Sequence, residues 1–128
     1  MSRIFDGSIP VLEKALDMYL VRHSIISDNI ANAETPFYKA RQVDFEAELA
    51  RAVETEEIGL SDSAIGGLTP QITQDARSEL GQDLNTVDMD REMSKLTKND
   101  VQYSAATQAI AKKFALMKYT ISGGAGGN

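Results

Sequence analysis

Two runs of mostly apolar residues, one near each end of a 128-residue chain, keep the same spacing. Leu12, Leu16, Tyr19, His23, Ile26, Ile30 and Ala33 follow one another by alternating steps of four and three. Met89, Met93, Leu96, Asp100, Tyr103, Thr107, Ile110, Phe114, Met117 and Ile121 keep the same alternation. A repeat of 3.5 is the seam of an α-helix wound on a partner, and its regularity implies a left-handed supercoil rather than a broad globular face. Each seam needs an apolar surface to cover it. The simplest supply is the other seam, so the expected fold is mainly α: long N- and C-terminal helices paired as an antiparallel coiled coil, with a loop-rich middle segment.

The N-terminal helix is predicted over 9–34. Ser8 can cap it, Pro10 suits a first turn where its missing N–H has no partner, and Thr35 before Pro36 is pushed out of the α region. The C-terminal helix is predicted over 87–122, about 35 residues and roughly 50 Å long at 1.5 Å per residue. Asp88, Asp90 and Glu92 sit at its positive end and Lys112, Lys113 and Lys118 near its negative end, and Gly123 and Gly124 are expected to stop it. Residues 123–128 read as a flexible glycine-rich tail. Outside the seams, Val21, Ile25, Val101 and Ala105 form half-covered flanks that want neighbours.

The middle differs in kind. Residues 41–85 carry three cations against ten anions, while the two ends together are close to neutral. A short helix over 43–53 would put Phe45, Leu49 and Val53 on one side; beyond it Gly59, Gly66, Gly67, Pro70 and Gly81 predict loops and at most a short hairpin. The whole chain, 1–128, is expected to be one domain, the usual limit for this length.

Charge and composition exclude several functions. A net charge of −6 disfavours nucleic acid and anionic membranes, because such affinity comes from clustered Lys and Arg. With no cysteine and one histidine there is no disulfide, no thiolate nucleophile and little for a metal. No apolar run exceeds that of residues 18–21 in length, so no membrane span is expected. Asp6, Glu13, Lys14 and Asp17 break up any signal-peptide core, so a cleaved leader is not expected. Asp88, Asp90 and Glu92 resemble the start of a calcium loop, but Met93 and Asn99 stand where its Gly and bidentate Glu belong. His23 on an apolar seam reads as a packed or hydrogen-bonded ring, and no catalytic triad can be built around it. No catalytic residue, cofactor or metal ligand is therefore expected. The seam methionines read as core fillers, and Asp100 and Thr107 either fix register or simply face water.

One segment carries a more specific signal: Asn29, Ile30 and Asn32 on a helix, then Thr35-Pro36 and Tyr38-Lys39. Two amides at i and i+3 share a face and can hydrogen-bond a neighbouring backbone, and the turn sets how the chain leaves the helix. This segment resembles the N-terminal signature of the flagellar rod and hook protein family. Val43-Asp44-Phe45-Glu46 with Leu49, Val87-Asp88-Met89-Asp90 with Glu92-Met93, and Tyr103 through Phe114, Met117, Lys118 and Ile121 to Gly123-Gly124 extend the likeness to about two thirds of the chain. Short length and the direct passage from Asn32 to Thr35-Pro36 are similar to its short, cell-proximal rod subgroup. Phe37 stands where the family often has Gly; it disfavours a positive φ and predicts a type I or extended exit.

The resemblance implies a structural rod subunit, not an enzyme. Such a subunit would be exported through the flagellar type III apparatus without a cleavable signal and located in the periplasmic rod of the basal body. Its partners would be copies of itself, other rod proteins, the inner-membrane ring and the export apparatus, and its terminal helices would build a helical tube around the export channel. Asn29, Ile30, Asn32, Thr35, Pro36 and Tyr38 would act in assembly. Burial of the seams within one chain only marginally offsets the entropy of ordering about 60 helical residues, so the terminal helices are expected to become ordered only in the assembled rod. A second reading is a cytoplasmic coiled-coil adaptor or export chaperone, using the same amphipathic helices to hold one partner in a small discrete oligomer.

Overall fold

The computed structural model describes residues 2–57, 63–76 and 80–125, with side chains described for 9–54, 65–76 and 80–123. In chain order the elements are α1 (Ser2–Ala31), β1 (Arg41–Asp44), α2 (Glu46–Glu57), α3 (Ser63–Gly66), β2 (Gln71–Gln74) and α4 (Met89–Ala125). The fold is mainly α, as the two seams predict. Rising numbers on α1 meet falling numbers on α4: the Asn99 Nδ2 donates to the Tyr19 carbonyl at 2.9 Å, and the Asn29 Nδ2 donates to Glu92 Oε2 at 3.0 Å, with His23 Nδ1 between them 3.3 Å from Asp100 Oδ1. The long helices are therefore antiparallel.

The middle segment is not merely draped outside. β1 and β2 pair antiparallel, from Arg41 opposite Gln74 to Asp44 opposite Gln71. Behind them Met18 and Ile25 of α1 meet Val43 and Phe45, with Tyr19, Val21, Leu49 and Leu68 packed around. Tyr19 and Phe45 meet edge to face, ring centroids 5.3 Å apart. Each such buried side chain contributes roughly 1.5–3 kcal/mol. α1 thus has two working faces, one on α4 and one on the middle segment. This corrects the expectation for the flanks: Ile25 and Val21 are covered by their own chain, whereas Val101 and Ala105 on α4 are exposed.

Boundaries shift for local reasons. α1 begins at Ser2, so residue 8 is helical and caps nothing, and Pro10 lies inside the helix, where it forgoes one backbone bond. The same helix ends at Ala31 instead of residue 34, because Asn32 N–H is shared between the Asp28 and Asn29 carbonyls (3.1 and 3.2 Å) and Ala33 N–H bonds Ile30, tightening the last turn. α2 starts at Glu46, not at residue 43, since Val43 is taken by β1. α4 starts at Met89, not at residue 87: Val87 N–H is held by Asn85 Oδ1 at 2.7 Å, and Asp88 caps the helix by accepting the Arg91 N–H at 3.1 Å. At the other end Gly123 and Gly124 do not stop α4, which runs to Ala125. Glycine lowers helix stability by about 1 kcal/mol but clashes with nothing, and a Cβ at Gly123 would meet open space. Of the predicted tail, 126–128 lie outside the described residues, as do 58–62 and 77–79 of the middle.

Candidate assembly site

The signature begins in the last turn of α1 with a side chain that is fully enclosed. Asn29 is 0% exposed and uses its amide in every direction. Its Oδ1 accepts the Arg41 N–H at 3.0 Å and the Tyr38 hydroxyl at 3.3 Å; its Nδ2 donates to the Arg41 carbonyl at 2.7 Å and to Glu92 Oε2 at 3.0 Å. The amide pairs with both backbone groups of Arg41 as a neighbouring strand would. The backbone it binds is its own, so Asn29 faces no neighbouring subunit. Asn32 is different: its Nδ2 donates to the Asp28 carbonyl and its Oδ1 accepts from Thr35, both near the surface.

The segment before α4 is fastened onto this turn. The Asn85 Nδ2 donates to the carbonyls of Asn32 (2.8 Å) and Thr35 (2.7 Å). Thr86 takes the Ala40 N–H on its hydroxyl and gives its own N–H to Tyr38, and the Lys39 ammonium reaches the Leu84 carbonyl at 2.7 Å. Phe37 N–H donates to the Asp83 carbonyl at 3.0 Å. With Tyr38 N–H bonded back to Thr35, Phe37 occupies the third position of a β-turn at φ 64°. That sign belongs to a type II turn and overturns the expected type I or extended exit. The strained backbone, worth about 1–3 kcal/mol, is held by the bond from Asp83, and the ring points to water, 69% exposed.

Beneath the turn lies an ion network that periodicity did not reveal. Glu92, 1% exposed, accepts from Asn29 on one oxygen and from the Lys95 ammonium on the other, at 3.0 Å. Lys95 reaches on to Asp75 at 2.6 Å, and the Arg91 guanidinium meets the same carboxylate at 3.1 Å. Asp75 in turn gives its N–H to the Ala40 carbonyl. Desolvated carboxylates survive when paired and fully hydrogen-bonded, and these two are. Only a reading that asked which first-turn acids face inward could have found Glu92. A second fastening joins α1 to the middle: Arg22 donates twice to the Val43 carbonyl, pairs with Glu46 at 2.7 Å, and stacks its guanidinium 4.5 Å over the Phe45 ring. Burial pushes the Glu46 carboxyl up, but the Arg22 bond and charge, together with the backbone N–H groups of Glu46 and Phe45, outweigh it and hold the group below the usual carboxylate range. Burial raises the Tyr19 phenol.

The predicted seams land on two different surfaces. On α1, Ile26 is buried, Leu12, Leu16, Tyr19 and Ile30 are half-buried, and His23 is exposed beside Asp100; Ala33, half-buried, lies in the turn beyond the helix. On α4, Leu96, Tyr103, Ile110 and Met117 are half-buried, but Met89, Met93, Phe114 and Ile121 are exposed. The positions that go inward with the first four are Glu92, Asn99 and Ala106, one residue earlier in each repeat. Thr107 bonds its own helix at the Tyr103 carbonyl. In the signature, Ile30 and Tyr38 are half-buried, while Thr35 and Pro36 face solvent.

A cleft of about 380 Å³ between α1, β1 and α4 is lined by Arg22, Arg41, Arg91, Lys95 and Asn99 among others. Four of its cations, Arg22, Arg41, Arg91 and Lys95, are paired with Glu46, Asp28, Asp75 and Glu92, and Lys98 also lines it. Among the described residues no group of three or more His, Cys, Asp or Glu is arranged to hold a metal, and no helix is long and apolar enough to cross a membrane. Physically the site offers hydrogen bonding and packing: an enclosed polar clamp at one end of the helical pair and an uncovered apolar helix at the other.

Comparison with known proteins gives a consistent result. The chain is 36% identical over 132 residues to the flagellar basal body rod protein FlgB of Borrelia hermsii, spanning 92% of this chain and 98% of that protein. It is 32% identical to FlgB of Bacillus subtilis strain 168 (94% and 98%) and 29% identical to FlgB of Escherichia coli K12 (93% and 96%). No protein-family model matches the chain.

Proposed function

The chain belongs to the FlgB family of flagellar basal body rod proteins, and from that premise we propose that it is a structural subunit of the cell-proximal rod, assembling through its terminal helices into a helical tube around the export channel. The observation that carries the reading is the extent of the likeness: the alignments take in nearly all of both chains, which supports reading 1–128 as one rod-type unit. The geometry supports it from another side. Met93, Phe114 and Ile121 lie uncovered on α4, an apolar face that neighbouring subunits in a tube would bury.

Its partners in this reading are further copies, other rod proteins, the inner-membrane ring and the export apparatus, and its place is the periplasmic rod, reached without a cleaved signal. Thr35, Pro36 and the exposed seam residues are the surfaces proposed to meet neighbours; Asn29, Ile30, Asn32 and Tyr38 shape the turn from inside. Isolation of intact basal bodies from cells carrying a tagged copy tests it. The tag should co-purify with the rod and be lost with it. Recovery only as a small cytoplasmic oligomer would overturn the reading in favour of an adaptor or chaperone.

A further inference from the structure

The small sheet has two edges, and the chain treats them differently. In an antiparallel pair alternate residues turn their backbone groups inward to the partner strand and outward to the edge. Asp75 N–H meets the Ala40 carbonyl, so Ala40, Gln42 and Asp44 face the β2 side, and Arg41 and Val43 face out. That outer edge of β1 is closed by α1: Asn29 holds both backbone groups of Arg41, and Arg22 holds the Val43 carbonyl. By the same alternation Ile72 and Gln74 turn their N–H and C=O groups away from β1, and among the described residues nothing bonds them there.

The open edge also lacks the usual protection. Natural edge strands carry Lys, an internal Pro or a bulge that blunts further pairing. β2 has none of these: Gln71-Ile72-Thr73-Gln74 is uncharged, its register with β1 is unbroken, and Pro70 stands just outside it. The whole strand is exposed, inside a segment that carries three cations and ten anions. Its adjoining acid, Asp75, is turned inward onto Arg91 and Lys95. Residues opposite one another share a face of the sheet, so Ile72 points the same way as Val43. Val43 is 3% exposed and Ile72 48%, because the core-facing surface stops where the sheet does.

We propose that this edge pairs with the same edge of a second copy, antiparallel and two-fold, with Thr73 on the axis. That register sets Ile72 opposite the second copy's Gln74, and Gln74 opposite its Ile72, so every outward N–H and C=O of both residues finds a partner. Centring on Ile72 instead would call on Pro70, which has no N–H to give. A second copy fits because the strand is uncharged: a charged strand facing itself would set like charges opposite one another. Each Ile72 gains the stem of a glutamine across from it and the other Ile72 on the diagonal. The contact is small, which makes it weak and reversible. It closes on itself as a dimer, and so describes the free chain, independent of the contacts of the proposed tube.

Sedimentation over a range of concentrations and cysteine cross-linking test it, since the chain has no cysteine of its own. Thr73→Cys should form 73–73 disulfides at least tenfold faster than Gln71→Cys forms 71–71, because only the first lies on the axis. Two substitutions should abolish the dimer while leaving helix content and melting temperature unchanged. Thr73→Lys sets like charges across the axis, and Gln74→Pro removes an outward N–H but no bond to β1. Equal cross-linking at 71 and 73, dimers that survive either substitution, or a chain that stays monomeric up to millimolar concentration would each overturn the contact.

Discussion

The two ends of one helical pair are built on opposite principles. Around Asn29 and Glu92 the α1–α4 interface is polar, enclosed and crossed by hydrogen bonds and ion pairs. Around Phe114, Tyr119 and Ile121 the side chains of α4 are apolar and left in water. Hydrophobic pattern alone ranks the second end as the stronger core, yet the first is the one the isolated chain completes. A buried polar network is demanding, since one missing partner strands another, and so it specifies a single arrangement. Exposed apolar groups specify nothing until a neighbour arrives.

That contrast can be broken most severely at Lys95. Lys95→Met removes the ion partner of Glu92 while keeping the bulk of the side chain, and stranding a buried carboxylate should destabilise the chain by about 3–5 kcal/mol in urea unfolding. Next comes Asn29→Ala, which strips the partners of the Arg41 backbone and the Tyr38 hydroxyl. It should lose about 2–3 kcal/mol, and Asn32→Ala, whose bonds are near the surface, about 1 kcal/mol or less. Equal losses would mean the two signature amides are not divided into inner and outer roles as described.

Acid probes the clamp that ties α1 to the middle. The Glu46 carboxyl is held below its ordinary range, so its contribution is present above the unfolded pKa and fades as pH falls through the lower folded one. The stability gap between the chain and its Glu46→Gln variant should therefore close on acidification below the ordinary carboxylate range. It should be modest throughout, because the side chain is half exposed. A gap that widened in acid would reverse the assigned sign. At the open end the effect on the monomer should be smallest. Tyr119→Ser with Ile121→Ser should stay within about 0.5 kcal/mol, and amide exchange in dilute monomer should be slow around 92–106 and fast beyond 111. Equal protection along α4 would erase the distinction between the ends.

The helical pair was legible because a 3.5 repeat has few other meanings. Four of the ten α4 seam residues, Leu96, Tyr103, Ile110 and Met117, turn inward; Glu92, Asn99 and Ala106, which an apolar pattern passes over, go inward with them. β1 and β2 were hidden by length and composition, four residues each and mostly polar, with pairing set by where the chain returns. The turn at Phe37 was misread because its φ is held by Asp83, 46 residues away, and local propensity cannot register so remote a bond.

The bonds that join α1 to α4 link residues 63, 77 and 80 apart in sequence. Contacts of such separation form late, after the entropy of closing a long loop has been overcome. During synthesis, α1 would therefore emerge with its α4-facing side unmatched until the last third of the chain follows. The order of manufacture opposes the order of packing, and a nascent chain halted before residue 89 would lack Glu92, Lys95 and Asn99 altogether.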